Sequence, residues 1–139
     1  MSVLVDSSVW IDFLNGHVNA QTDRLQAILE GDEDVCTCGV VVAEVLQGIR
    51  SDPSRREIRE RFRDLRFLEP SGFDAYDRAA ELYRALRARG TTVRSTVDCL
   101  IVAIAEEHRC RVLARDRDIA AILASGLAAV TADAGSGSR

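Results

Sequence analysis

The chain has 139 residues, which suits one domain with a single sizeable core, and its composition of 47% hydrophobic, 29% charged and 5% aromatic residues is that of a globular protein. The net charge of −4 argues against a generic polyanion binder. No apolar run approaches the ~20 residues of a membrane span, and Asp6 interrupts a short N-terminal apolar stretch that has no basic region before it, so the chain reads as cytoplasmic, with no membrane attachment.

In chain order, the pattern predicts short strands alternating with helices. Strands are expected at 3–5, 34–37, 66–68, 111–114 and 128–131. Asp6-Ser7-Ser8 offers caps for a helix through Leu14, with Val9, Trp10, Phe13 and Leu14 on one side and Asn15-Gly16 as its stop. Further helices are predicted over 22–30, over about 40–49, and from Pro53 with a stripe of Ile58, Phe62 and Leu65. Phe73, Tyr76, Ala80 and Tyr83 define a fifth helix closed by Gly90; a sixth covers 95 to about 108 and a seventh 116–125. The alternation implies an α/β fold with a mostly parallel sheet, and residues 132–139, ADAGSGSR, read as a tail outside it. Cys36, Cys38, Cys99 and Cys110 follow no zinc-ligand spacing and read as buried thiols.

Four acidic residues stand in or beside apolar runs: Asp6 in VLVDSSVW, Glu44 in VVVAEVLQG, Asp98 in TVDCLIVAIA and Asp116 in VLARDRDI. Carboxylates are rarely buried without compensation. Asp6 and Asp116 follow strands directly, so both are expected beyond the carboxyl ends of a parallel sheet, where such folds bind ligands. Each Asp has a purely structural reading: Asp6 and Asp116 as helix N-caps, Asp98 as the last member of an S-x-x-D capping box opened by Ser95. Glu44 fits such a reading less well, because its segment is apolar on most sides. Together, four converging carboxylates repel unless a cation compensates them, and all-oxygen ligation favours Mg²⁺ or Mn²⁺ over zinc. Metal-assisted phosphodiester hydrolysis is the matching reaction class.

DSSVWIDFLNG with Asp6, AEVLQG with Glu44 and Gly48, VDCLIVAIA with Asp98, and LARDRDI with Asp116 resemble the PIN-domain ribonucleases, most of all the VapC toxins of type II toxin–antitoxin pairs. The resemblance covers roughly residues 3–131 in the family's order, which sets a PIN domain over 1–131. It implies a PIN-like fold with a parallel sheet of about five strands sandwiched by helices, and one or two Mg²⁺ or Mn²⁺ ions. It also implies endonucleolytic cleavage of RNA, with tRNA favoured over mRNA, and a homodimer held inactive by a cognate VapB-like antitoxin. By resemblance Asp6, Asp98 and Asp116 carry over as metal ligands and catalytic residues. Glu44 carries over as a ligand through water or as the residue orienting the attacking water. Ser7 matches the family's small hydroxyl residue, placed to bond a ligand or a phosphate. Asp118 occupies a second acidic position that supports the helix start rather than the metal.

All 18 basic residues are arginine, a side chain suited to bidentate phosphate contact and also the product of GC-rich coding. Arg94 and Arg115 flank the expected crevice and are candidate substrate-binding residues. Seven arginines between 50 and 66, interleaved with acids, read first as a solvated helix and second as an RNA or antitoxin contact. A receiver domain, also small and Mg²⁺-dependent, needs a lysine that this chain lacks. The remaining alternative is a non-catalytic antitoxin partner that assists operator DNA binding.

Overall fold

The computed structural model describes residues 2–133. Four strands, β1 (Ser2–Val5), β2 (Asp34–Cys38), β3 (Arg66–Leu68) and β4 (Arg111–Leu113), form an all-parallel sheet in the order β3-β2-β1-β4. Seven helices pack around it: α1 (Ser7–Leu14), α2 (Ala20–Glu30), α3 (Gly39–Gln47), α4 (Asp52–Arg63), α5 (Phe73–Ala88), α6 (Thr96–His108) and α7 (Arg117–Ala124). None of the described helices is long and apolar enough to cross a membrane. The register is set by three-residue pairings, Val3 against Val35 and Arg111, Leu4 against Cys36 and Val112. Because helices cover both faces, β1 is apolar on both, and Val3, Leu4 and Val5 are all fully buried.

The fifth strand expected at 128–131 does not form. A single parallel bridge, Val112 to Ala132, takes its place, with Val112 N donating to Thr131 O at 3.2 Å and Asp133 N to Val112 O at 2.8 Å. The apolar signal of 128–131 is met by packing instead: Ala128 is buried, and Leu127 and Val130 pack against the core. The fold also extends beyond residue 131. Asp133 is buried, its carboxylate bonded by Arg24 Nε at 2.7 Å, and Glu33 receives Arg24 and Arg111 beside it. This network ties α2, β4 and the final segment together at the amino end of the sheet. The rest of the expected tail, residues 134–139, lies outside the described residues.

α5 forms where expected but buries a different face. Ala75, Ala79, Leu82 and Leu86 are inside, whereas Phe73 is 83% exposed and Tyr76 55%. Alanines at two of the four contact positions let α5 approach α6 closely, and these two helices make the most extensive helix–helix contact. α4 is a solvated helix with only Phe62 buried; Phe62 meets Trp10 edge-on at 4.9 Å between ring centroids, which places Trp10 in the core. Gly48 is the C-cap of α3 at an ordinary φ of −86°, so it marks a helix end and no close backbone approach. All four cysteines are buried thiols, and burial pushes Cys36 and Cys99 up to about 11.

Candidate active site

The chain runs from β1 outward through β2 to β3, then returns to place β4 on the other side of β1. The strand order therefore reverses between β1 and β4, and a crevice opens at their carboxyl ends, the place where open α/β sheets bind ligands. Asp6 follows β1 and its backbone N donates to Leu113 O of β4 at 2.9 Å, which closes the floor of the crevice. Asp116 follows β4 by three residues, and α6 brings Asp98 in its first turn.

Oxygens of Asp98, Asp116 and Asp118 lie within 4.8 Å of one another. At that spacing a pair of ionised carboxylates repels by roughly 3 kcal/mol at an effective dielectric constant near 20. Asp6 and Glu44 act in the same field. Burial is the main reason that the Asp98 carboxyl is pushed up to about 7, with Asp116, Asp6, Asp118 and Glu44 adding repulsion in that order. Burial also raises Asp6, partly offset by hydrogen bonds from Ser8, with Asp116 and Glu44 repelling it. Asp118 moves the other way, because Arg94 bonds it through both side chain and backbone.

The capping and ligand readings of Asp6 and Asp116 are compatible. Asp6 caps α1 with Oδ2, which accepts from Ser8 N at 3.1 Å and from the Ser8 hydroxyl. Asp116 caps α7 with Oδ1, which accepts from Asp118 N at 2.7 Å and Ile119 N at 3.1 Å. Each cap engages one carboxylate oxygen, and the other carries no hydrogen bond among the described residues. Asp98 closes no capping box: the Ser95 hydroxyl accepts from Val97 N at 3.1 Å, and no return bond from Asp98 is present among the described residues. Apart from the favourable charge of a first-turn acid, its carboxylate makes no hydrogen bond at the helix end among the described residues. An all-oxygen donor set of several carboxylates, two of them held above their ordinary pKa by burial and mutual repulsion, fits a hard divalent cation.

The other predicted residues divide. Ser7 is buried and its hydroxyl donates to Glu44 Oε1 at 3.0 Å, so of the two uses open to it, the bond to a carboxylate is the one present. Arg94 reaches the crevice, bonded to Asp118 Oδ2 through its backbone N at 3.0 Å and through Nε at 2.9 Å. Arg115 Nη1 instead donates to Asp12 Oδ2 at 3.0 Å, turning its side chain along α1. Asp118, expected to support the helix start rather than a metal, stands within the acidic cluster by distance; what sequence reasoning missed is its pairing with Arg94, 24 residues away. His17 and His108 are elsewhere, on Asp12 and on Glu69 O respectively.

The PIN-domain family pattern matches residues 3–133. The chain belongs to the PIN-domain family. Within the family it is 30% identical to ribonuclease VapC11 of Mycobacterium tuberculosis over 117 residues, 84% of this chain and 87% of the relative, which places it among the VapC ribonucleases. Its fold is similar to that of VapBC-1 from nontypeable Haemophilus influenzae, with a TM-score of 0.71 at 12% identity over 96% of this chain and 97% of that one. It is likewise similar to Mycobacterium tuberculosis VapC20, described as a sarcin-ricin loop cleaving toxin, with a TM-score of 0.63 at 23% identity over 93% and 98% of the two chains. The PIN-domain assignment makes the acidic crevice, rather than any other cavity, the place to look for chemistry.

Proposed function

We propose that this PIN-domain protein is the toxin of a toxin–antitoxin pair and hydrolyses phosphodiester bonds in structured RNA, tRNA first, with Mg²⁺ or Mn²⁺ as cofactor. The observation that carries the reading is the gathering of Asp98, Asp116 and Asp118 within 4.8 Å at the point where the strand order reverses, with Asp6 and Glu44 acting on them. Asp6, Asp98 and Asp116 are the residues that would hold the ion, each having a carboxylate oxygen free of its local structural role. When bound there, a divalent ion supplies Lewis acidity that lowers the pKa of water and offsets charge building on the phosphoryl oxygens.

The chain's own residues do the rest. Glu44, fixed by the Ser7 hydroxyl, is held in one orientation from the wall of the crevice and can accept a proton from an attacking water. Arg94 offers an exposed guanidinium at the rim for a phosphate. The surrounding core, with Val5, Leu113 and Ile119 fully buried beneath the acids, keeps the floor dry and strengthens charge interactions above it.

A VapB-like antitoxin is the proposed partner, and a homodimer the proposed assembly. An apolar cleft of about 190 Å³ between α1, α2 and α4, lined by Trp10, Phe13, Leu14, Leu29, Ile58 and Phe62, supports an apolar protein segment as the antitoxin's contact. The deciding experiment is cleavage of total tRNA by purified protein with Mn²⁺, with EDTA, and with Asp6→Ala as the contamination control. Discrete, metal-dependent cuts that Asp6→Ala abolishes are expected. Growth arrest on expression with no RNA cut in the cell would overturn the reading.

A further inference from the structure

Among the described residues, Arg94 is the arginine hydrogen-bonded to an acid of the cluster. Arg94 lies in the loop before α6, four residues ahead of Asp98, and both its backbone N and its Nε converge on a single atom, Asp118 Oδ2, at 3.0 and 2.9 Å. The two partners differ sharply in exposure: the Asp118 side chain is 11% exposed and that of Arg94 70%. The carboxylate is thus an anchor set in the wall, and the guanidinium projects from it into solvent at the rim. With Nε on Asp118, one N–H of Nη2 lies on the same side of the planar guanidinium, while Nη1 and the outer N–H of Nη2 form a fork that faces past Asp118, and neither Nη carries a hydrogen bond among the described residues. Backbone and side chain of the same residue holding one oxygen fix the direction of that fork. Arg115, the other candidate at the rim, has its Nη1 engaged by Asp12.

The same geometry bears on the acidic cluster. Asp118 belongs to it by distance and, like Asp6 and Asp116, has only one oxygen engaged, but its charge is already matched by the arginine bonded to it. A divalent ion drawn onto Asp118 would sit beside that guanidinium. Among the described residues no arginine hydrogen-bonds Asp116 or Asp98, which feel the Arg94 charge only without contact. We propose that Asp118 is a positioning residue for Arg94, which it holds fork outward to grip an RNA phosphate, and that it lies outside the cation-binding set. This assignment rests on the ribonuclease reading above.

Two measurements separate it from a purely structural pair and from a metal ligand. Mn²⁺ titration by calorimetry needs no RNA. Asp118→Asn should bind within about threefold of the wild type and Arg94→Ala at least as tightly, whereas Asp98→Asn should bind at least about tenfold more weakly. In cleavage of total tRNA, Arg94→Ala and Asp118→Ala should each raise KM about tenfold with kcat within about threefold, and Arg94→Lys should recover part of the loss. The double variant Arg94→Ala/Asp118→Ala should be no worse than Arg94→Ala alone, because the two act as one unit. Loss of Mn²⁺ binding in Asp118→Asn to the extent seen in Asp98→Asn would overturn the assignment, as would an unchanged KM in Arg94→Ala. A wild type that binds Mn²⁺ yet cuts no RNA would overturn the ribonuclease reading instead, and with it the substrate assigned to Arg94.

Discussion

The Ser7 hydroxyl donates to Glu44 Oε1 at 3.0 Å, across 37 residues of sequence, and so fastens the residue after Asp6 to the middle of α3. Glu44 is only half-buried, and without that bond its side chain has several rotamers open to it. Ser7→Ala should therefore lower kcat about tenfold while leaving KM for RNA nearly unchanged, and Ser7→Thr should restore much of the loss. Steady-state cleavage assays decide this; equal kcat in Ser7→Ala would mean that the Ser7 bond does not orient Glu44 for the reaction.

Asp98→Asn should abolish detectable cleavage and raise the melting temperature in metal-free buffer. The substitution keeps the shape of the side chain and removes one of the charges that Asp116, Asp6, Asp118 and Glu44 repel. Thermal melts in EDTA and cleavage in Mn²⁺, run on one preparation, give both outcomes. A lower melting point would mean that the Asp98 carboxylate has a structural partner after all.

Stability of the metal-free protein should depend on pH through the same residue. The Asp98 carboxyl titrates near 7 in the folded chain and near 3.8 unfolded, so between those values the folded state holds a proton that the unfolded state has lost. Stability from this group is present in full below about pH 4, declines as pH rises toward 7, and is level beyond. Asp6, raised for a similar reason, adds to the decline, whereas Asp118 is lowered and contributes stability that is lost only under stronger acid. Chemical denaturation in EDTA from pH 5 to 8 should show the fall, and Asp98→Asn should flatten it.

Adding Mn²⁺ at pH 7.5 should reverse that loss. An ion that binds only the folded chain stabilises it by about 2.7 kcal/mol at a hundred times its dissociation constant. The melting temperature should climb with Mn²⁺ in the wild type and hardly move in Asp98→Asn. A wild-type melting temperature unaffected by millimolar Mn²⁺ would show that these acids form no competent site in the free protein.

Asp133→Ala should destabilise the fold by about 2–3 kcal/mol, as expected when one partner of a buried ion pair is removed while the other stays partly solvated. Its carboxylate is fully buried against Arg24 and Arg111, which are about one quarter exposed. A chain ending at residue 131 should show at least the same loss in urea denaturation, whereas Phe73→Ser, on the exposed face of α5, should stay within about 0.5 kcal/mol.

The α/β alternation was legible in the sequence because each strand is a short apolar run and each helix carries a cap or a stop. Asp6, Glu44, Asp98 and Asp116 were legible for a related reason, an acid in an apolar setting being costly enough to stand out. What stayed hidden depends on partners distant in the chain. The arginine that matches Asp118 lies 24 residues away, and those that bury Asp133 are Arg24 and Arg111, so local pattern assigned one acid to a helix start and the other to a tail. On α5 the aromatic side chains set the expected face, although Ala75, Ala79, Leu82 and Leu86 form the more apolar stripe, and that stripe is the buried one in a helix that packs most extensively on α6. Likewise 128–131 has the apolar content of a strand, but the pairing with β4 is a single bridge at Ala132, and the apolar side chains pack on the core instead.

The strand order has one more consequence, for a chain still being made. β1 is synthesised before the other three strands, yet one of its two neighbours is β4, at residues 111–113, and the acids from 98 to 118 arrive just before and after that strand. A ribosome that stops early releases a product carrying Asp6 and Glu44 without Asp98, Asp116 or Asp118, and with one side of its central strand unpaired. On the proposed reading, cutting thus requires translation past residue 118, and products that stop before β4 should be harmless to the cell that makes them.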